Sequence, residues 1–547
     1  MRSGLATAAR TDARVSKVLA FYADRLAETD RYLLAAVSLF TRPVRPEAVL
    51  TVATHEAFAG RLAGWTAGMV QAAVRDRLTG LANWHRDATI SAHPLVRDTF
   101  RPLALRAAAI AVDTALTGMP EGKVTTREQA LRVTEAIELL LDADQWQPAH
   151  ELYLGRLSDG YVWLHLPAAR LGQRTAAAFT ATPTRRDACA TNLTRQQLGF
   201  YLNEVGLFAI NAGDLAAAHE YLTLTTRHYR AEADKNNLAG SMRNLVECLT
   251  YLGQLGPAQS VATEALTYAT DVDDQEELQA LYVYLGRVAA LAGDTSAAEQ
   301  HLITADRMFL NDDLHGRHMY GYYGTLWAQW LARTGREDPA RELTRRSAEI
   351  SRKNNWNADL ARCDQILGDL ALIAGDFSTA ERHLASAVAT FRDADYLTEL
   401  AQALPSLATC ALSGGDLEAA EHQLAEAIAI TSPRGLIPGH ATALAVRARL
   451  RAAQAMAGSL DALAQGRDDA DAARRIAVRH NLQWHELDAM TAHACLDEAE
   501  GTSHGWADQA RQLHAQLVPP GLDPDPLATV ERLAEEQEAS EDDTDDS

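Results

Sequence analysis

Glycine recurs through the middle of this chain at an almost fixed interval, and that interval constrains the fold more than any other feature. Gly213, Gly253, Gly293, Gly335, Gly375 and Gly415 stand 40, 40, 42, 40 and 40 residues apart. Four of them open a Gly-Asp pair, at 213, 293, 375 and 415. Five residues after each comes alanine (Ala218, Ala258, Ala298, Ala340, Ala380, Ala420), and twelve after each a small residue, from Thr225 to Ala427. Seven before each is Gly206, Gly286, Ala328, Gly368 or Ala408, with Val246 the exception. One step earlier stands a large apolar residue: Val205, Leu245, Leu285, Trp327, Leu367, Leu407.

Such a ladder reads as helical hairpins. Glycine ends a helix because it enters the left-handed conformation without penalty. The polar residue after it caps the next helix. Small residues at the crossings let two antiparallel helices approach, and the large neighbour fills the space beside them. One hairpin leaves an apolar face bare, so the hairpins must stack.

At these columns the chain resembles the tetratricopeptide repeat, over six repeats. The period is 40 rather than 34, and the proline that closes the usual repeat is absent. Six extra residues lengthen the helices by about 9 Å in all, at about 1.5 Å per residue. The resemblance implies a right-handed α-solenoid, all-α, that works by binding other macromolecules. The rhythm decays outward. Asp144 to Ala149 looks like a worn turn, and Gly458 and Gly501 continue at intervals of 43 without the alanine. Pro519-Pro520 ends the helical body, and residues 531–547, with nine acids and one arginine, read as a disordered tail. The expected organisation is a small domain at 1–105, a helical connector with a degenerate repeat at 106–197, the solenoid at 198–518 and an acidic tail at 519–547.

Composition narrows the function classes. A net charge of −22, with no dense basic stretch, disfavours binding to nucleic acid. The five cysteines (189, 248, 363, 410, 495) are scattered without a CxxC pair, which points to reduced thiols rather than disulfides or zinc. No apolar run has the length of a signal peptide or membrane span, so a cytoplasmic protein is expected. Of 51 basic residues 47 are arginine, a bias that suits a bacterial source of high GC content.

The first hundred residues have another texture. Asp30 to Phe40 forms an amphipathic helix that Pro43 and Pro46 break before a second opens; a third runs around Met69 to Leu81. Asn83 to Ser91 has room for a short β wing and leads into His93-Pro94-Leu95-Val96-Arg97-Asp98. This order and the His-Pro-Leu-Val-Arg-Asp run resemble the winged-helix module of signal-transducing NTPases of the NACHT and NB-ARC type. The resemblance implies that His93 faces a nucleotide phosphate, although Ala92 and Pro94 replace the family's flanking Met and Asp. No phosphate loop is present: Gly118 to Val124 is one residue short and has valine where the hydroxyl belongs. The nucleotide domain must therefore be supplied in cis or in trans, and the chain itself needs no cofactor.

Catalytic and metal patterns fail on spacing. His150-Glu151, His219-Glu220 and His485-Glu486 lack the second histidine of HExxH, and no GxSxG elbow occurs. His315 and His318 with Asp312 and Asp313 lie in a loop without a partner pair. With each turn glycine as register mark, the inner groove is expected to present Phe200, Asn203, Arg243, Glu247, Arg287, Tyr322, Gln329, Arg333, Arg362, Gln365 and Asp369. Four arginines there suggest a protein or peptide ligand that is acidic. The expectation is a non-enzymatic scaffold, the ligand-sensing half of a signalling NTPase. The alternative is a transcriptional regulator whose winged helix touches DNA through Arg42, Arg45, Arg61, Arg75 and Arg77.

Overall fold

All six ladder glycines carry the backbone into the left-handed region, with φ between 66° and 81°. The structure, a computed structural model, describes residues 25–157, 162, 166, 168–310, 318–459 and 461–532. At each of the four Gly-Asp turns the aspartate side chain accepts the backbone N–H three residues on, as at Asp214–Ala217 (3.2 Å) and Asp294–Ala297 (3.0 Å). Gly458 and Gly501 also have positive φ and end helices.

The chain divides into two compact units, residues 1–162 with 178–198 and residues 163–177 with 199–547. The second is an all-α solenoid of eight hairpins. Repeat 1 pairs Arg195–Asn211 with Leu215–Ala231, repeat 2 Lys235–Tyr251 with Leu255–Asp271, and repeat 3 Gln275–Ala292 with Thr295–Leu310. Repeat 4 pairs Gly321–Arg333 with Glu337–Asn354, repeat 5 Asn357–Ile373 with Phe377–Asp393, and repeat 6 Leu397–Ser413 with Leu417–Arg434. Repeat 7 is Ile437–Met456 with Asp461–Arg479, and repeat 8 Gln483–Glu500 with Trp506–Leu517.

The small-residue column has a direct physical cause. A Cβ on Gly206, Gly286 or Gly368 would stand 2.5–2.7 Å from Leu222, Leu302 or Leu384 of the paired helix. Where the column carries Val246, the register puts Ala262 in place of that leucine, and both are fully buried. Bulk is exchanged across the hairpin rather than added.

The ribbon of repeats turns back on itself within this unit. Gly213 meets Leu397 and Arg434, Gly253 meets Ile437 and His480, and Gly293 meets Gln483 and Leu517. The contacts lie 184 to 190 residues further along at their first-named partners, so one superhelical turn takes between four and five repeats. Hydrogen bonds seal the seam: Thr398 Oγ1 donates to the Ile210 carbonyl, Thr295 Oγ1 to the Leu517 carbonyl, and His480 Nδ1 lies 3.1 Å from the Gly253 carbonyl oxygen.

The tail departs from expectation. Residues 526–532 are helical, with Leu527 and Val530 buried among Trp327, Trp484 and Leu517. Arg336 donates to the Asp523 carbonyl at 3.3 Å. Two apolar residues at helical spacing outweigh the acids around them. Residues 533–547, like Asp312, Asp313 and His315, lie outside the described residues.

In the first unit, helices Glu28–Ser38, Pro46–Ala53 and Ala67–Ala72 precede a hairpin of Ala82–Trp84 and Ile90–Ala92. The third helix continues as a wider turn over Ala73–Arg77. Antiparallel pairing sets Ala82 opposite Ala92 and Trp84 opposite Ile90, and Val44 bridges to Ile90 on the other side. Leu33, Leu34, Val49, Phe58, Ile90 and Phe100 form the buried centre. Arg127–Asp142 and Trp146–Arg156 form the degenerate hairpin, with Asp144 at φ 58° in its turn. Gly118 and Gly122 lie in the loop before it.

Candidate functional site

The eleven groove residues occupy the first helices of repeats 1 to 5, and the structure sorts them into two groups. In repeats 1 to 4 the polar side chains answer one another. Asn244 donates to Asn203 at 3.0 Å, and Arg243 pairs with Glu277 at 2.8 Å. Glu247 accepts from the hydroxyls of Tyr284 and Tyr322, both at 2.7 Å. Tyr322 in turn accepts from Arg287 at 2.7 Å, and Arg287 covers the ring of Tyr251. Arg362 stacks over Tyr322 and pairs with Asp359 and Glu399. Phe200 packs edge-on against Tyr201. Burial holds the Tyr322 hydroxyl protonated well above its ordinary range, which keeps it a donor to Glu247.

This corrects the expectation of four arginines offered to an acidic ligand. Arg243, Arg333 and Arg362 each meet a carboxylate, and Arg287 is held by tyrosines. The register carried no information on what stood opposite these residues.

The second group faces a cavity of about 1130 Å³. The first helices of repeats 2 to 8 all contribute to it, together with Trp506–Leu517. Arg287, Gln329, Arg333, Gln365 and Asp369 line it, and because the ribbon turns back on itself at the seam the cavity is the lumen of the superhelix. Repeats 6 to 8 add Gln402, Ser406, Arg449, Trp484, His485 and Asp488; the last four lie where the glycine marks drift to intervals of 43. Gln402 alone was readable: it falls thirteen residues before Gly415, the column of Tyr322 and Arg362.

Charge inside the lumen is partly matched. Arg333 donates to both oxygens of Asp488 at 2.6 Å and lies over the Trp484 ring. Asp369 has a hydrogen bond from Ser406 and no ion pair among the described residues; burial pushes its carboxyl up to about 6, against the pull of Ser406 and Arg333. His485 is pushed down to about 4, mainly by burial, so it is neutral at pH 7. A pocket this size, apolar in part with a few convergent polar groups, is what a ligand site requires.

The first unit offers less. His93 is exposed, and its Nδ1 accepts the Leu95 N–H at 3.4 Å as the cap of helix Pro94–Phe100. Of the arginines considered for DNA, Arg42 pairs with Glu128 and Glu135, Arg61 with Glu28, and Arg77 with Asp30, while Arg75 lies over Trp84. A smaller pocket of about 540 Å³ holds Arg101 and Arg185, both paired with Asp142. His318, half of the histidine pair dismissed as a metal site, is buried against Asp306 at 2.8 Å. No described helix is long and apolar enough to cross a membrane.

No protein-family model matches the chain, and no curated protein matches it. Solved structures with a similar arrangement include a signal transduction ATPase with numerous domains bearing a tetratricopeptide repeat sensor, from Pyrococcus horikoshii. It is 12% identical, covers 95% of this chain and 67% of its own, and has a TM-score of 0.36. A Rap protein complexed with competence and sporulation factor is 13% identical over 70% of this chain and 99% of its own, with a TM-score of 0.30. Yeast Tom70 is 13% identical over 80% and 93%, with a TM-score of 0.31. Such scores carry no functional argument. On its own structure, the chain is an all-α solenoid of tetratricopeptide-like helical hairpins.

Proposed function

We propose that the chain is a non-enzymatic, ligand-sensing repeat protein that takes a peptide segment into the lumen of its second unit. The observation that supports this best is the lumen itself, to which every repeat from 2 to 8 contributes a helix. Because the ribbon turns back on itself, a folded partner has no broad concave face to dock on, whereas an extended segment or small molecule fits. A ligand bridging repeats 3 to 8 touches both sides of the seam, so its binding couples to the pitch of the superhelix. That coupling is what a sensor needs.

In this reading the three helices and hairpin of the first unit are a winged-helix module. The chain as a whole then acts as the ligand-sensing half of a signalling NTPase whose nucleotide domain is supplied in cis or in trans, in the cytoplasm of a bacterium. His93, exposed at its helix start, is then available to a nucleotide domain. Arg42, Arg61 and Arg77 are paired with acids, which leaves Arg45 and Arg75 as the arginines of the DNA-binding alternative without an acid partner among the described residues and weakens that reading. Thr491 lines the lumen and is exposed, so Thr491→Trp blocks the cavity at little cost to folding. Equilibrium dialysis against a mixture of random five-residue peptides tests the proposal. Retention by wild type and its loss in Thr491→Trp is expected; equal retention by both overturns the lumen as the site.

A further inference from the structure

Past the last helix of repeat 8 the chain runs Pro519-Pro520-Gly521-Leu522-Asp523-Pro524-Asp525, and the short helix 526–532 follows. Asp525 caps that helix, its carboxylate accepting the Ala528 N–H at 3.3 Å. Thr529 Oγ1 donates to Asp523 at 2.6 Å and holds the loop against the helix. A segment that only capped the end of the stack would rest on repeat 8. The contacts of this one reach back across the seam. Arg336, at the turn of repeat 4, donates to the Asp523 carbonyl at 3.3 Å and pairs with Glu299 of repeat 3 at 2.8 Å. His318, just before repeat 4, has Nε2 3.5 Å from the Glu531 carboxylate and Nδ1 2.8 Å from Asp306 of repeat 3.

Leu527 and Val530 are buried in one cluster with Leu302 of repeat 3, Trp327 and Trp330 of repeat 4, and Trp484 and Leu517 of repeat 8. The segment therefore ties repeats 3 and 4 to repeat 8. That stretch of seam is also a wall of the lumen. Arg333 on one side donates to Asp488 on the other and covers the Trp484 ring, and all three line the cavity. Trp330 meets Trp484 edge-on at 6.1 Å. None of the described residues 519–532 lines the cavity, so the segment acts on the wall and not as a plug.

Its hold is close to balance. Burying two aliphatic side chains contributes free energy of the same order as ordering seven helical residues costs. Prolines at 519, 520, 524 and 526 reduce that cost without removing it. Segments with so few buried contacts open before the rest of a fold does.

Resting on the lumen reading above, we propose that residues 519–532 are a releasable strap whose docking is coupled to occupancy of the lumen. With the strap docked, the walls of repeats 4 and 8 are held at one spacing, and a ligand bridging the seam meets both. With it released, repeat 8 and its last helix loosen from repeat 4, and the ligand loses one wall. Linkage makes the effect reciprocal: a bridging ligand holds the strap down by the factor by which the docked strap raises affinity.

The test uses the full chain and two substitutions that add the same charge to the same helix. Leu527→Asp places a carboxylate in the apolar cluster, whereas Ala528→Asp places it on the exposed side. Leu527→Asp is expected to speed hydrogen exchange at least tenfold in 519–532 and in Gln483–Glu500, and to cut retention of random five-residue peptides in equilibrium dialysis at least fivefold. Leu527→Ala should give the same pattern at smaller amplitude, and Ala528→Asp should match wild type. Adding the peptide mixture to wild type should slow exchange in 519–532 at least fivefold, and should not do so in Thr491→Trp. Faster exchange confined to 519–532, with retention at the wild-type level, overturns the coupling and leaves the lumen as the site. Slowing of the strap by peptides in Thr491→Trp as in wild type overturns its link to the lumen. Retention unchanged by Thr491→Trp overturns the lumen reading and the coupling with it, while the exchange of Leu527→Asp without peptide still decides whether the strap closes the seam.

Discussion

Repeats 2 to 4 and repeats 5 to 8 are built on one register, yet they use their inward-facing side chains in opposite ways. In the earlier repeats Arg243, Glu247, Arg287 and Tyr322 close a network on one another. In the later ones Arg362 is still paired, but Asp369 and Arg449 face the lumen with no ion pair among the described residues, Asp369 meeting Ser406 and Arg449 the thiol of Cys495. A register column tells where a side chain points but not whether the next helix supplies its complement. Structural rigidity and ligand capacity thus come from the same positions, divided along the superhelix.

The contrast can be broken from either end. The largest effect is expected at Glu247, whose loss strands two tyrosine hydroxyls and removes the acid beside Arg287. Glu247→Ala should cost about 2–4 kcal/mol by urea unfolding, the range for breaking a partly buried charged network. Next comes the small-residue column. Gly368→Val sets a side chain against Leu384 and should cost about 1–3 kcal/mol through overpacking. Adding Leu384→Ala copies the Val246/Ala262 arrangement of repeat 2 and should restore most of it; a double variant no better than the single would refute the exchange of bulk.

Asp369 should behave in the opposite sense to Glu247. Its carboxyl sits at about 6, raised from the ordinary value by burial, so ionisation costs the fold stability above that pH. The cost is absent below the unfolded carboxylate range and complete above about pH 6. Asp369→Asn should therefore stabilise the chain at pH 8, by about 1–2 kcal/mol at about 1.4 kcal/mol per pKa unit with cavity water screening part of it. It should have little effect at pH 3.5. The smallest effect is expected at Gln365→Met, below about 0.5 kcal/mol, because no protein bond is lost. A large loss there would show that the carboxamide is structurally consumed after all.

These contrasts also mark how far the sequence could be read. The glycine ladder and its aspartate caps were legible because left-handed turns and cap bonds are local. The turn after repeats 1, 2, 4 and 5 was not, since Ala233, Asp273, Asn355 and Asp395 adopt positive φ there without being glycine. The seam was invisible because contacts 184 residues apart leave no local signature. Without it, the lumen was expected as a groove and the arginines as free. In the tail, Leu527 and Val530 were masked by the acids around them. Arg243, Tyr322 and Arg362 are thus engaged with other side chains of the repeats, whereas Gln329, Gln365 and Asp369 line the lumen.

Hydrogen exchange on the full chain, with and without a peptide retained from the random five-residue mixture, tests the central claim most directly. The account predicts slowed exchange in Asn357–Ile373, Leu397–Ser413 and Ile437–Met456, with the paired second helices unchanged. Slowing confined to those second helices, or to residues 28–116, would contradict it.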